Sequence, residues 1–181
     1  MKRLMRRSDL ALLTAMTLAV PASAELPEGA KAPGFSTQAA LAGKAFGFNL
    51  RAALAQGPVV LYFYPKAFTK GCTLEANAFA EAMPEFRKAG ASVVGMSNDD
   101  IETLKRFSRE ECRDAFPVGV ASRKLIEAYD VALVRDGKDA GVTSRTSYVI
   151  AQDGRIVMVH SDMDYSDHVA KTLAAVRALA D

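Results

Sequence analysis

Val59-Val60-Leu61-Tyr62-Phe63-Tyr64-Pro65-Lys66-Ala67-Phe68-Thr69-Lys70-Gly71-Cys72 is the stretch that decides how this chain is read. Six β-branched, aliphatic and aromatic residues without a break predict a strand buried on both faces. Pro65 cannot donate to a ladder and ends it. After the turn, Thr73-Leu74-Glu75-Ala76-Asn77-Ala78-Phe79-Ala80-Glu81 has the composition of a helix. Cys72 therefore stands in the first turn of a helix, facing unpaired backbone N–H groups and the positive end of the helix dipole. Both favour the thiolate, the reactive form of cysteine. The segment reads as strand, turn, activated thiol, helix.

Working outward, Leu26 to Phe35, with Pro27 and Pro33, predicts an irregular lead-in, and Ala45 to Leu50 alternates like an edge strand. The helix from Cys72 to Lys88 carries Leu74, Ala78, Phe79, Met83 and Phe86 near helical spacing, and Gly90 caps it. Ala91 to Ser97 is the next strand. Asp99 or Asp100 caps a helix from Ile101 to about Cys112. Val118 to Ala121 is a short strand and Arg123 to Tyr129 a short helix. Thr146 to Ala151 and Arg155 to His160 flank the hairpin turn Gln152-Asp153-Gly154. Ser166 caps a last helix through Val169, Leu173, Val176 and Leu179. The order is mixed α/β. A parallel start closed by an antiparallel hairpin predicts a thioredoxin-like sandwich, a mixed central sheet flanked by helices.

Residues 1–24 stand apart. Lys2, Arg3, Arg6 and Arg7 precede the apolar run Leu10 to Val20, and Ala22-Ser23-Ala24 is an A-x-A cleavage site. This layout predicts a secretory signal peptide, with an apolar core too short for a membrane anchor. Arg6-Arg7 also raises twin-arginine export, although Asp9 sits where that signal prefers an apolar residue. The expected location is periplasmic or secreted, with residues 25–181 as one domain. Of 23 basic and 21 acidic residues, the leader holds four and one, so 19 and 20 remain, net −1. That balance gives no basis for nucleic-acid or membrane binding.

Two cysteines, Cys72 and Cys112, fall in the predicted mature part. In an exported protein they fit a permanent structural bridge or one that opens and closes with turnover. Other chemistry has little support. His160 and His168 show no metal-ligand spacing with the cysteines, and no glycine-rich phosphate loop is present. His168 reads as solvent-facing, His160 on its strand as a structural or edge residue, and Met83 and Met96 as core.

The spacing P-x-x-x-T-x-x-C formed by Pro65, Thr69 and Cys72 resembles the active-site motif of the peroxiredoxins, the thiol peroxidases. The stretch from Val59 to Phe79 is similar to the peroxiredoxin Q or bacterioferritin-comigratory branch. Arg145-Thr146-Ser147-Tyr148-Val149-Ile150 resembles the strand that carries that family's catalytic arginine. The likeness runs from about Gly29 to the C-terminus. It implies that Cys72 attacks the distal oxygen of a hydroperoxide and becomes a sulfenic acid. It implies that Arg145 supports the thiolate and polarises the peroxide, and that the Thr69 hydroxyl accepts from and donates to it. Pro65 shields the sulfur from water. Glu75, one turn past Cys72, orients arginine side chains in that family; a solvated helix glutamate is the plain alternative.

The chain departs from the family at the resolving cysteine. In many peroxiredoxin Q proteins it lies five residues after the nucleophile, where this chain has Asn77. Another form places it in the following helix, where Cys112 lies 40 residues on. A one-cysteine enzyme with a buried Cys112, or an intermolecular bridge, stays open. The resemblance implies a monomer or dimer that reduces hydrogen peroxide and organic hydroperoxides without a cofactor and is recycled by a thioredoxin-like or small-thiol reductant. Rival readings are a peroxide sensor or redox-binding module on the same fold, and a thiol–disulfide oxidoreductase. The last needs a C-x-x-C pair, which Lys70, Gly71 and Asn77 do not supply.

Overall fold

The computed structural model describes residues 25–179; the predicted signal peptide, residues 1–24, lies outside them. In chain order the elements are β1 (Ser36–Leu41), β2 (Lys44–Asn49), α1 (Leu50–Leu54), β3 (Val59–Phe63), α2 (Lys70–Lys88), β4 (Ser92–Ser97) and α3 (Ile101–Glu110). Then come β5 (Val118–Val120), α4 (Arg123–Ala128), β6 (Ala132–Arg135), β7 (Lys138–Thr143), β8 (Thr146–Ile150), β9 (Ile156–Ser161) and α5 (His168–Arg177). Seven strands form one sheet in the order β2-β1-β5-β4-β3-β8-β9. β3 pairs parallel with β4 and antiparallel with β8, and β4 pairs parallel with β5. The sheet is mixed and flanked by helices, as the sequence predicts.

The Val59–Phe63 run explains the architecture. All five of its residues are buried. Side chains alternate across a strand, so one run feeds both faces. Val60 and Tyr62 pack with Phe79, Met83 and Phe86 of α2, Leu104 and Phe107 of α3, and Val176 of α5. Val59, Leu61 and Phe63 pack with Leu50 and Leu54 of α1 and Leu125 and Ile126 of α4. Met83 and Met96 are core, as read. Among the described residues no helix is long and apolar enough to cross a membrane.

Several boundaries differ from the sequence reading. α2 begins at Lys70, two residues early, with Thr69 as its N-cap. At its other end Gly90 takes the left-handed conformation (φ 74) just past Ala89. Asp100 caps α3 by accepting from Thr103 N. α3 ends at Glu110, so Cys112 lies beyond it. Asp167, not Ser166, is the N-cap of α5. β1 escapes sequence reading because Ser-Thr-Gln-Ala-Ala-Leu lacks the β-branched and aromatic signature. The β6–β7 ribbon is mostly exposed and shows no core periodicity. Its tip, Asp136-Gly137, has φ 52 and 70, the pattern of a two-residue hairpin turn.

Candidate active site

The loop between β3 and α2 is pinned on several sides. Tyr64 N donates to the Met96 carbonyl (3.0 Å), and Thr143 Oγ1 at the end of β7 donates to the Tyr64 carbonyl (2.6 Å). Ala67 N donates to Asp99 Oδ2 (2.8 Å), an oxygen that also accepts from Ser97 Oγ (2.8 Å). Phe68 sits in the left-handed region (φ 63), a costly conformation for an aromatic residue. Its ring meets the edge of Phe107 at 5.2 Å between centroids and stacks under the Arg106 guanidinium. Pro65 is half-buried and Thr69 exposed. The Thr69 hydroxyl donates to the Lys66 carbonyl (2.9 Å), which leaves its lone pairs as acceptors. The predicted donation to a peroxide requires that hydroxyl to turn from Lys66.

Cys72 is the third residue of α2. The first intrahelical bond shown runs from Thr73 N to the Thr69 carbonyl (2.9 Å), so the N–H groups of Lys70, Gly71 and Cys72 belong to the unpaired first turn. The thiol is buried, with 1% of its surface exposed. Arg145 Nη2 lies 3.6 Å from its sulfur. Arg145 Nη1 donates to Glu75 Oε2, and Nε donates to the Met163 carbonyl (3.0 Å). The β3–β8 register Phe63↔Thr146 delivers this arginine, since it sets the residue before β8 beside the strand that leads to Cys72. Burial lowers and the neighbouring anionic groups raise the Arg145 pKa, and the net direction is up. Burial pushes the Glu75 carboxyl up to about 8, although the Arg145 charge pulls it down.

Of the predicted site residues, Cys72, Arg145 and Glu75 are in direct contact. Thr69 and Pro65 line the loop into them. Glu75 is not a solvated helix glutamate; it is fully buried. Cys112 is a free, buried thiol in the same core cluster as Cys72. Burial, then Glu111 and Asp114, push its pKa up. Arg113 and Asp114 after it both take left-handed conformations (φ 51 and 55). Three polar contacts tie this segment to α2: Asn77 Nδ2 to Glu111 Oε2 (3.2 Å), Arg113 Nη1 to Glu81 Oε1 (3.2 Å), and Arg87 Nη2 to the Ala115 carbonyl (2.8 Å).

His168 overturns its sequence reading. It is fully buried, because His168, Thr172 and Val176 form the inward face of α5. That four-residue spacing was the available signal. His168 Nδ1 is 2.8 Å from Ser147 Oγ on β8 and 3.8 Å from Glu75 Oε1. Its ring lies 4.6 Å from that of His160 on β9.

Gly71 makes room for the arginine. A Cβ there would stand 3.1 Å from Arg145 Nη2, on a guanidinium already held through Nη1 by Glu75 and through Nε by the Met163 carbonyl. Gly71→Ala is expected to slow Cys72 oxidation up to about tenfold, because a misplacement of roughly 1 Å costs about 10²-fold. Thermal stability should not fall with it, since alanine favours a helix. An unchanged oxidation rate would refute the crowding argument.

A thiol at a helix N-terminus, buried against an arginine on a mixed sheet of this order, defines a thiol-based oxidoreductase of thioredoxin-like architecture. Known proteins narrow that class. The AhpC/TSA family matches residues 29–159. Peroxiredoxin Bcp of Xanthomonas campestris pv. campestris is 34% identical over 125 residues, 67% of this chain and 78% of that protein. Peroxiredoxin Bcp of Escherichia coli K12 is 36% identical over 112 residues, 61% of this chain and 72% of that one. Among solved structures, peroxidoxin BcpB of Mycobacterium tuberculosis superposes with a TM-score of 0.74 at 32% identity, covering 84% of this chain and 97% of that chain. Peroxiredoxin Q of Xanthomonas campestris gives 0.70 at 32%, covering 80% and 91%. The chain belongs to the AhpC/TSA family and, within it, to the peroxiredoxins of the Bcp kind. It is a thiol peroxidase.

Proposed function

We propose that this peroxiredoxin is an exported two-cysteine enzyme that reduces hydrogen peroxide and organic hydroperoxides. The observation that carries the peroxidase reading is the buried Cys72 sulfur 3.6 Å from Arg145 Nη2 at the start of α2; export rests on the sequence of residues 1–24 alone. The Cys72 thiolate attacks the distal oxygen of the hydroperoxide, and the O–O bond breaks. Sulfur keeps the oxygen as a sulfenic acid, and the departing alkoxide or hydroxide takes a proton to leave as alcohol or water. Arg145 faces the charge that shifts onto the departing oxygen. The organic substrates are supported by a solved Xanthomonas campestris bacterioferritin comigratory protein described by its alkyl peroxide reduction activity, 32% identical to this chain.

Cys112 then attacks the Cys72 sulfenic acid, forming a disulfide and releasing water. A thioredoxin-like protein or small thiol reduces the bridge, acting on a monomer or dimer. The two sulfurs must come within about 2 Å, with Cα atoms under about 7 Å apart. Cys112 starts as a buried thiol whose environment opposes ionisation, so the step requires its segment to move. The left-handed pair Arg113-Asp114 supports that movement, because Arg113 costs roughly 1–2 kcal/mol in that conformation, which aspartate tolerates better.

Intact mass of the protein recovered from its host, before and after one equivalent of peroxide, tests the whole reading. Loss of residues 1–24 supports export and a retained Met1 refutes it. Loss of two hydrogens on oxidation, absent in Cys112→Ser, supports the internal disulfide. Gain of one or more oxygens with no bridge identifies a one-cysteine enzyme.

A further inference from the structure

Behind Cys72 the protein buries two acids against one cation. Glu75 Oε2 is bound to Arg145, which also faces the sulfur. Glu75 Oε1 is buried and has no hydrogen-bond partner among the described residues. His168 Nδ1 stands 3.8 Å from it, beyond hydrogen-bond reach. The proton on His168 is placed by its neighbours. Nε2 lies 3.0 Å from the Asp162 carbonyl, an acceptor only, so Nε2 carries the hydrogen. Nδ1 of the neutral ring is then the acceptor, and it takes the Ser147 hydroxyl proton at 2.8 Å. The one lone pair of Nδ1 is spent on Ser147, and His168 offers Glu75 no donor.

A fully ionised site would hold Cys72 as thiolate, Glu75 as carboxylate and one guanidinium, leaving a net negative charge in a dry interior. That arrangement is costly. Resting on the thiol-peroxidase reading, we propose that Glu75 and His168 form a proton-holding pair behind the nucleophile. When Cys72 is a thiolate, Glu75 carries a proton on Oε1, and His168 is the positioning residue that denies that oxygen a donor. The proton that leaves sulfur is taken up by the Glu75 carboxylate, no bond between heavy atoms changes, and the site stays neutral. Arg145 then directs its charge at the sulfur rather than dividing it between two anions.

The surroundings agree. Burial pushes Glu75 up to about 8 and His168 down to about 4, so between these values the carboxyl is protonated and the imidazole neutral. Facing Glu75 are Arg145, which it shares with Cys72, and the phenol of Tyr62 on β3. Facing His168 are His160 on β9, Arg145, and Asp162 in the following loop. His160 is itself held down by burial and then by Lys171 on α5, so it supplies no cation.

Infrared difference spectroscopy of the intact reduced protein, titrated from about pH 5 to 9, reads the carboxyl proton directly; solvent-exposed acids are ionised over most of that range. The wild type should show the carbonyl stretch of a protonated acid at neutral pH, and Glu75→Gln should lack it. Cys72→Ser removes the competing anion, so Glu75 should lose its proton at least about one pH unit lower. His168→Gln places an amide donor near Oε1 and should shift the midpoint the same way. A wild type with no protonated carboxyl at neutral pH, or a midpoint unmoved in Cys72→Ser, overturns the pair. An unmoved midpoint in folded His168→Gln overturns the role of His168, and if that variant does not fold the Cys72→Ser titration decides. Peroxide consumption by the same wild-type sample separates the two readings: consumption without the coupled titration refutes only the pair, and the coupled titration without consumption refutes only the peroxidase.

Discussion

Cys72→Ser is expected to abolish peroxide reduction while the protein stays folded. The serine hydroxyl fits the buried space of the thiol and can accept from Arg145 Nη2, so the contact that organises the site survives in weaker form. What is lost is the nucleophile, since a hydroxyl at neutral pH is a poor one and cannot take oxygen from a peroxide as sulfur does. Cys112 does not replace it, because burial and the neighbouring Glu111 and Asp114 hold it as a thiol. Peroxide consumption with a generic dithiol reductant, alongside a thermal melt, makes the test. Substantial residual turnover in a folded variant would move the nucleophile elsewhere.

Arg145→Met should be nearly as severe. Methionine fills the volume and removes three contacts together: the one to sulfur, the ion pair to Glu75 and the bond to the Met163 carbonyl. Losing one well-placed donor to a developing anion costs about 10²–10³ in rate. The oxidation rate of Cys72, read by competition for hydrogen peroxide with a haem peroxidase, is expected to fall by at least that factor. Breaking a buried pair leaves a carboxyl without its cation, a loss of roughly 3–5 kcal/mol if it stays charged. Glu75 is already protonated at neutral pH in the pair proposed above, and without the Arg145 charge that pulls its pKa down the folded value rises further, so the variant's stability should fall as pH rises through it. The sign follows from a carboxyl whose folded pKa lies above its unfolded one: its favourable contribution is complete below the unfolded value and is lost as pH rises through the folded one. A rate within about threefold of wild type would separate Arg145 from the chemistry.

Much of this site could be read from the chain because its parts are local. Pro65, Thr69, Cys72 and Glu75 lie within eleven residues, and the strand before them is apolar throughout because both faces are covered. Arg145 was readable only through its flanking strand, since nothing near Cys72 in sequence points to it. Ser147 and His168 were missed for a physical reason. They meet only when α5 lies over β8, and a histidine before Val169 looks like any solvated helix start until the inward face of α5 is known. The start of α2 was misplaced by two residues because Thr69 caps it with no side-chain bond. β1 and the β6–β7 ribbon escaped because one carries a single β-branched residue and no aromatic and the other is exposed.

Sulfur and guanidinium are brought together by a ladder, Phe63↔Thr146, that ignores the length of chain running between them. Segments hung from the rim of that ladder can therefore grow or shrink over generations while the chemistry stays in place. The Asp136-Gly137 tip is such a position, exposed and remote from the pairing, and additions are best tolerated at tips of that kind. The reacting pair is inherited as a register, and its surroundings are free to be rewritten for a new peroxide or a new donor.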